Sequence, residues 1–240
     1  MSGAALVVGA GSGTGAAVAK RFAREGLVAC VARRSAGALA ELVSEIESAG
    51  GRARAFGLDA TDEEAVKATV ETIENEVGPL EVLVYNSAIF TRASILDLTA
   101  EQYKGDWDVC AFAAFLCARE AALRMVERGR GTILFTGATA SKRGGSHFAA
   151  FAGGKFALRA LAESMARELG PKGIHVGHVI IDGLINVPRV RDIMPGMAEK
   201  LGEDGMVDPD AIADTYWHMH AQPKSTWTFE ADVRPFRESF

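Results

Sequence analysis

A glycine-rich turn between a strand and a helix opens this chain and does most to limit its possible folds. The apolar run Ala4–Val8 is followed by Gly9-Ala10-Gly11-Ser12-Gly13-Thr14-Gly15 and then by a helical stretch to about residue 24. A strand that turns directly into a helix begins a βαβ unit, because neighbouring parallel strands must be joined by a long crossover. The start of the chain therefore predicts an α/β fold with a parallel sheet.

The alternation of strand and helix continues along the chain. Thr61 is the expected N-cap of the third helix, ahead of three acidic residues in its first turn. Since we find no internal repeat and no linker, residues 1–240 should form one Rossmann-like doubly wound domain, a seven-stranded, mostly parallel sheet with helices on both faces. The predicted strands are 4–8, 27–32, 52–58, 80–85, 132–136, 175–181 and 227–233, and the helices after the first are 36–49, 61–77, 99–128 and 149–169.

Composition excludes several classes of function. The net charge of −5 gives no general attraction to nucleic acid or to an anionic membrane, and no apolar run approaches the roughly 20 residues of a membrane span. The start of the chain does not resemble a signal peptide, so we expect a cytoplasmic protein. The three cysteines lack metal-ligand spacing, and His218 and His220 are expected to be solvated at a helix end, so no metal site is predicted.

The glycine turn itself predicts a dinucleotide site. Glycines allow a tight turn and let backbone amides approach a pyrophosphate, and the helix N-terminus adds partial positive charge. The alternative is a glycine-rich turn that binds nothing, but the strand–loop–helix context favours a ligand. The expected cofactor-binding residues here are Gly9, Gly11, Ser12, Gly13, Thr14 and Gly15.

The end of the second predicted strand indicates which dinucleotide is bound. An acidic residue there would bind the ribose 2′-hydroxyl of NAD, whereas a basic residue would accommodate the 2′-phosphate of NADP. The chain has Arg33 and Arg34 and no nearby acid. Two guanidinium groups suit a phosphate dianion in charge and geometry, although a solvated pair is the alternative. We therefore predict NADP(H) in preference to NAD(H).

These motifs, together with Phe151 four residues before Lys155, resemble the short-chain dehydrogenase/reductase family from Gly9 to about Ile185. The glycine spacing is similar to the family's GxxxGxG, and the chain resembles a divergent subgroup with phenylalanine where the family has its catalytic tyrosine. The resemblance implies that Lys155 holds the nicotinamide ribose and that Asp59, followed by Ala60, lies beside the adenine. It also implies that Asn86 and Ser87 run along the cofactor and that Gly183 and Ile185 border the nicotinamide. Without it, Asp59 would be interpreted as a turn residue.

The resemblance fails at the reaction centre. Ala138, Phe151 and Cys110 stand at the positions of the family's serine, tyrosine and asparagine, and the tyrosine position of enoyl-reductase relatives is Phe148. A positioned general acid contributes roughly 100- to 10,000-fold to a rate, which these side chains cannot supply. The substitute donors considered are Thr136, Thr139, Ser141, Ser146 and His147, of which only His147 titrates near neutral pH, although a surface position is favoured for it.

Two functions remain open. The first is an oxidoreductase that moves hydride between NADP(H) and a small, apolar carbonyl or alcohol substrate with an atypical active site. The alternative is a catalytically inactive NADP(H)-binding sensor or assembly protein. An apolar, Pro- and Gly-containing segment at about 186–208 suits a lid. Small residues on helices 99–128 and 149–169 predict a dimer or tetramer, with Phe236 and Phe240 packed at a subunit contact or over a neighbouring site.

Overall fold

The computed structural model describes residues 3–238, with the backbone alone at residue 189. Seven strands and nine α-helices alternate along this part of the chain. The strands are β1 (Ala4–Val8), β2 (Val28–Arg33), β3 (Arg52–Gly57), β4 (Leu80–Tyr85), β5 (Gly131–Ala138), β6 (Ile174–Ile181) and β7 (Glu230–Val233). The helices are α1 (Thr14–Arg24), α2 (Ala40–Ser48), α3 (Glu63–Thr72), α4 (Ala100–Trp107), α5 (Ala113–Arg128), α6 (Ala149–Leu169), α7 (Pro188–Ile193), α8 (Met197–Leu201) and α9 (Pro209–His220).

All seven strands form one parallel sheet in the order β3-β2-β1-β4-β5-β6-β7. Helices α3, α5 and α6 pack on one face, and α1, α2 and α9 pack on the other. The strands between them are almost wholly apolar because both of their faces are buried. This arrangement confirms the predicted single doubly wound domain, and the order reverses between β1 and β4, where such sheets bind their ligands.

The helix predicted over 99–128 is present as α4 and α5 joined by a π-helical turn, Asp108–Phe112. Thr99 caps its start, since its hydroxyl accepts a hydrogen bond from the Gln102 amide at 3.1 Å. Gly129 ends it with a left-handed φ of 64°.

The predicted cap of α3 was wrong by one residue. Asp62 is the N-cap, and its carboxylate accepts hydrogen bonds from the amides of Glu64 and Ala65 at 3.0 and 3.2 Å. The Thr61 hydroxyl instead donates to the Asp59 carboxylate at 2.7 Å. Asp59 therefore orders the turn and Asp62 caps the helix. Because several neighbouring side chains can each act as a cap, the N-cap is hard to assign from the sequence.

The last strand is shorter than predicted and begins at Glu230. Trp227 lies outside it, because the backbone amide of the next residue, Thr228, donates to the Gln222 side chain at 2.8 Å and not to a neighbouring strand. The Trp227 ring stacks on that of His175, with the two centroids 4.9 Å apart. Phe236 is 73% exposed in the single chain, and the prediction for Phe240 lies outside the described residues. Within residues 3–238, no helix has the length and apolarity needed to cross a bilayer.

Candidate active site

The candidate site lies where the carboxyl ends of β1, β4, β5 and β6 meet. Gly9 follows β1, Asn86 follows β4 and Asp182 follows β6. Asn86 joins two of these ends, because its amide nitrogen donates to the Gly9 carbonyl at 3.0 Å and its backbone nitrogen donates to the Val8 carbonyl at 2.9 Å. The predicted cofactor residues of β1 and β4 are thus brought together at the strand-order reversal.

Close packing explains two glycines of the turn. Gly9 has a φ of +86°, and a Cβ there would lie 2.7 Å from the backbone nitrogen of Ser87. A Cβ on Gly15 would lie 2.4 Å from the Gly9 carbonyl oxygen. By contrast, a Cβ on Gly11 would meet no atom within 4 Å, so the outer side of the turn is open. A ligand can therefore approach the backbone there.

The start of α1 fits a phosphate group. Among the residues that the structure describes, no side chain caps this helix, and its first turn carries no acid. The Thr14 hydroxyl is buried and has no hydrogen-bond partner among the described residues. Buried hydroxyls nearly always have a partner, so a phosphate oxygen would complete this position. The residues present thus fit the pyrophosphate of a dinucleotide.

The segment after β6 reaches over this turn. A Cβ on Gly13 would lie 2.9 Å from a methyl carbon of Val187. The base of the segment is closed by backbone hydrogen bonds, from the Asn186 amide to the Val207 carbonyl and from the Val207 amide to the Leu184 carbonyl, each at 2.8 Å. Gly183, with a φ of +146°, and Ile185 lead into it. The segment therefore lies against the pyrophosphate position.

Arg33, Arg34 and Asp59 lie at the opposite end of the site. Arg33 is the last residue of β2, and both arginine side chains are exposed. Asp59 accepts hydrogen bonds from the Thr61 hydroxyl and amide, which lower the pKa of its carboxyl, and the nearby Arg34 adds to this effect. A basic pair and an ionised carboxylate thus share one edge, with the half-buried Ala60 beside them.

Lys155 is buried in the centre of the site. Its side chain is 3% exposed, and its ammonium donates a hydrogen bond to the Thr136 carbonyl at 2.7 Å. Burial lowers the pKa of Lys155. The ammonium has three donors, and in the described part of the chain this is its single hydrogen bond. Two donors are therefore available to a ligand.

Comparison with known proteins decides the family. The profile described as short chain dehydrogenase matches residues 3–196. The chain belongs to the short-chain dehydrogenase/reductase family. It is 44% identical to a short-chain dehydrogenase of Rhodopseudomonas palustris whose crystal structure superimposes with a TM-score of 0.84, over 98% of this chain and 99% of that one.

Two further members of the family are similar over most of the chain. A metagenomic short-chain oxidoreductase solved in complex with NADP is 25% identical, with a TM-score of 0.84 over 97% of each chain. Sorbitol-6-phosphate 2-dehydrogenase of Escherichia coli (strain K12) is 30% identical over 219 residues, which cover 90% of this chain and 83% of that protein. The family binds nicotinamide cofactors, in agreement with the geometry of the glycine turn.

Of the three positions that motif spacing assigns to the family's serine, tyrosine and asparagine, two lie near Lys155, those of Phe151 and Cys110. The Phe151 ring centroid lies 5.8 Å from the Lys155 nitrogen. Cys110 is buried, and burial raises the pKa of its thiol, so the sulfur stays protonated at neutral pH. The amide of Ala138 donates to the Ser141 hydroxyl at 3.1 Å. None of the three side chains supplies a hydrogen bond from an acidic hydroxyl.

Most of the predicted substitute donors already form hydrogen bonds within the protein. The Thr136 hydroxyl pairs with Tyr216 at 2.7 Å, and the Thr139 hydroxyl donates to the Asp182 carboxylate. Ser141 is buried. Ser146 and His147 are exposed, and the backbone of His147 is held at a φ of +69°. The side chains of Ser146 and His147 are thus left at the surface, as favoured for His147.

A buried polar cluster beneath the site was not predicted. His178 of β6 is fully buried, and its Nδ1 lies 3.2 Å from a Glu230 carboxylate oxygen. Glu230 also accepts from Arg159 at 2.6 Å and pairs with Lys142 at 3.2 Å. A Cβ on Gly137 would lie 2.4 Å from the His178 Nε2, so the imidazole occupies the space in front of that glycine. The signal available in the sequence was a pair of histidines, His175 and His178, within a mostly apolar strand.

The charges of this cluster follow from its surroundings. Burial lowers the pKa of His178 to about 4, although Glu230 opposes the shift. Burial alone would raise the pKa of Glu230, but the hydrogen bonds from Arg159 and Lys142 lower it to about 2. At neutral pH the cluster therefore holds a neutral imidazole and an ionised carboxylate.

Asp106 is a second unpredicted buried residue. It is fully buried, and its carboxylate accepts hydrogen bonds from the Thr91 hydroxyl at 2.7 Å and the Thr91 amide at 3.2 Å. These bonds fasten the loop after β4 to α4, beside the site. Its position four residues before Cys110, on the buried stripe of the long helix, could have indicated burial.

No metal centre is indicated. No group of three or more His, Cys, Asp and Glu side chains in residues 3–238 could hold a metal ion. His218 is exposed, as predicted. His220 is not solvated as predicted, because its Nδ1 lies 2.9 Å from the Thr132 hydroxyl and its ring packs 5.6 Å from that of Phe22.

Proposed function

We propose that this family member is an NADP(H)-dependent oxidoreductase that moves hydride to or from a small, apolar carbonyl or alcohol substrate. The observation that carries the proposal is the buried Lys155 ammonium, which among residues 3–238 has two unused donors at the strand ends that hold the glycine turn. Burying a cation without a full set of partners costs free energy, and ribose hydroxyls of a bound nucleotide would supply the missing acceptors. NADP(H), when bound, donates or accepts the hydride.

Each part of the cofactor would be held by the residues that the family resemblance implies. The glycine turn and Thr14 would hold the pyrophosphate, Arg33 and Arg34 the 2′-phosphate, and Lys155 the nicotinamide ribose. Asp59 and Ala60 would border the adenine, Asn86 and Ser87 would line the cofactor, and Gly183 and Ile185 would border the nicotinamide. The exposed arginines support NADP(H) over NAD(H), because no acid stands at the end of β2 to bind a ribose 2′-hydroxyl.

The active site of this proposal is atypical. Ala138, Phe151 and Cys110 replace the usual serine, tyrosine and asparagine, and Phe151 with a retained Lys155 resembles the divergent subgroup. The segment at 186–208, which contains α7 and α8, would close over the substrate as a lid. Lys155 would hold the ribose and favour an anion nearby, while the proton would come from water or a substitute donor.

A second function is supported by the same three replacements. A chain that binds NADP(H) without an acid could be an inactive sensor or an assembly protein. Exposed apolar side chains on the long helix, including Trp107, Phe112 and Phe115, whose rings stack at 6.1 and 6.4 Å, support a dimer or tetramer in either case.

One experiment separates the two functions. Titration calorimetry with NADPH and NADH should show tighter binding of NADPH. NADPH oxidation is then followed with a panel of saturated ketones, conjugated ketones and quinones. Turnover of any of these supports the oxidoreductase, whereas tight NADPH binding without turnover supports the inactive protein. Absence of NADPH binding would contradict both.

A further inference from the structure

Three phenylalanine rings form a continuous apolar surface beside Lys155. Phe90 follows β4, and its ring centroid lies 5.4 Å from that of Phe148 and 5.0 Å from that of Phe151. We call Phe90, Phe148 and Phe151 the phenylalanine surface. Phe90 is 62% exposed, and the preceding Ile89 is 39% exposed. Exposed aromatic rings at the carboxyl ends of the strands can pack against the ring of a ligand.

The position of this surface restricts the chemistry of its ligand. Phe151 stands where the family has its proton donor, and the buried Lys155 ammonium lies 5.8 Å from the Phe151 ring. An anion formed against this surface is therefore favoured by a positive charge but receives no proton from a phenol. Hydride addition to an isolated ketone gives an alkoxide, a base of strength comparable to hydroxide (the pKa of water is about 15.7). Such a product requires an acid at the site.

A quinone avoids this requirement. Its two-electron reduction gives a phenolate, and a phenol has a pKa of about 10, as in tyrosine. The negative charge is spread over an aromatic ring that water can protonate afterwards. A flat ring also suits the phenylalanine surface, because aromatic pairs prefer stacked and edge-to-face contacts with centroids about 4.5–7 Å apart.

We propose that the substrate is a quinone whose ring packs on Phe90 and Phe151 and whose reduction needs no side-chain acid. This inference rests on the proposed NADP(H)-dependent activity. The quinone accepts one hydride from NADPH, so that a C–H bond of the dihydronicotinamide breaks and a bond to hydrogen forms on the quinone. Water donates the single proton that the resulting phenolate takes up and is left as hydroxide, so the products are a hydroquinone and NADP⁺.

The test uses menadione as the quinone and cyclohexanone as a saturated ketone. Calorimetry should detect menadione binding to the protein without NADPH. Phe90→Leu should weaken that binding and raise the KM for menadione by about 2- to 10-fold, the value of an aromatic contact. Phe90→Tyr should keep the affinity of the original protein, because it retains the ring. Phe156→Leu is the matched control. Phe156 is 45% exposed on α6, the helix that carries Phe151, but it lies outside the phenylalanine surface.

The expected result is menadione turnover well above that of cyclohexanone. Of the three variants, Phe90→Leu alone should lose menadione affinity. Equal affinity in Phe90→Leu and Phe156→Leu, or preference for cyclohexanone, would overturn the inference. NADPH binding without menadione binding would also overturn it while leaving the cofactor proposal intact. Failure to bind NADPH at all would instead remove the proposed function.

Discussion

The ammonium nitrogen of Lys155 lies 2.7 Å from the carbonyl oxygen of Thr136, so α6 is tied to β5 from inside the protein. The same hydrogen bond holds the ammonium near the carboxyl end of β5. Because burial lowers the pKa of Lys155, its charge is held at a cost to the fold, and the bond to Thr136 offsets part of that cost.

Lys155→Met should therefore separate cofactor binding from folding. Methionine keeps the side-chain length and removes the charge. We expect NADP(H) affinity to fall by about 1.5–3 kcal/mol, the value of hydrogen bonds to a charged group, while the free energy of unfolding changes by no more than about 1 kcal/mol. Calorimetry and urea unfolding measure the two quantities. Unchanged cofactor affinity would mean that Lys155 does not face the cofactor.

Arg33→Ala should reduce the preference for NADP(H). Loss of a guanidinium from a 2′-phosphate is expected to weaken NADPH binding by about 1.5–3 kcal/mol and to leave NADH binding unchanged. Arg52→Ala is the matched control. Arg52 is an exposed arginine at the start of β3, at the edge of the sheet away from the carboxyl ends of the strands, and it donates to the Gly26 carbonyl at 3.3 Å. Equal affinity of the original protein for the two cofactors would contradict the assignment.

Restoring the tyrosine alone should not produce an efficient ketone reductase. Phe151→Tyr returns the phenol, but Ala138 still lacks the partner hydroxyl. Groups that act together are strongly non-additive, so Ala138→Ser with Phe151→Tyr should raise kcat/KM for a ketone by more than the product of the single effects. Turnover by Phe151→Tyr equal to that of the double variant would contradict this account of the site.

The free energy of unfolding should fall as the pH is lowered from about 6.5 to about 4. In this range the histidine at 178 is protonated in the unfolded protein but neutral in the folded one. Its pKa is about 4 in the folded protein, against about 6.5 when unfolded. The unfolded state therefore binds more protons between these values, and up to about 3 kcal/mol is lost as the pH falls from 6.5 to 4. Urea unfolding at several pH values measures this loss.

His178→Gln is the comparison for that measurement. Glutamine can still bond to Glu230 but does not titrate, so the slope between pH 6.5 and 4 should become smaller. It should not vanish, because burial also lowers the pKa of His175 and of His220. Below pH 4.5 protonation of Glu230, whose folded pKa is about 2, should destabilise both proteins. An unchanged slope in the variant would show that His178 is not the titrating group.

Assembly through the long helix gives a further expected outcome. Leu123 is 55% exposed on α5, and Leu123→Asp should shift a dimer or tetramer toward the monomer, because burying an unpaired carboxylate is costly. Leu96→Asp, at a residue 91% exposed outside α5, should leave the mass unchanged. Light scattering at micromolar concentration checks both, and a monomeric original protein would exclude the predicted assembly.

Much of the fold could be predicted because it depends on local patterns. The glycine turn, the apolar strands and the caps at Thr99 and Gly129 are short-range signals that agree with one another. The cap of α3 was misplaced, since Thr61 and Asp62 are both good caps and only the neighbouring Asp59 decides between them. The start of β7 also depended on side-chain partners, because Gln222 and His175 hydrogen-bond to the backbone of Thr228.

The site was less predictable, because its polar contacts join residues far apart in sequence. Glu230 meets His178 52 positions away, and Asp182 meets Thr139 43 positions away. Neither pair has a spacing that a local pattern could reveal. The glycine turn was predicted from its strand–loop–helix context and the role of Lys155 from the family resemblance, but neither revealed the polar cluster that lies beneath them.

The contact between His178 and Gly137 restricts the order in which the two positions can be substituted. Alanine at 137 would place its methyl 2.4 Å from the imidazole, so it destabilises a protein that retains His178. Exchange of the histidine for a smaller residue first would remove the two closest contacts and leave the Ser141 hydroxyl oxygen, 3.1 Å from the methyl, as the next neighbour. Of the two mutational routes to a protein changed at both positions, only the one that begins at 178 avoids an overpacked intermediate.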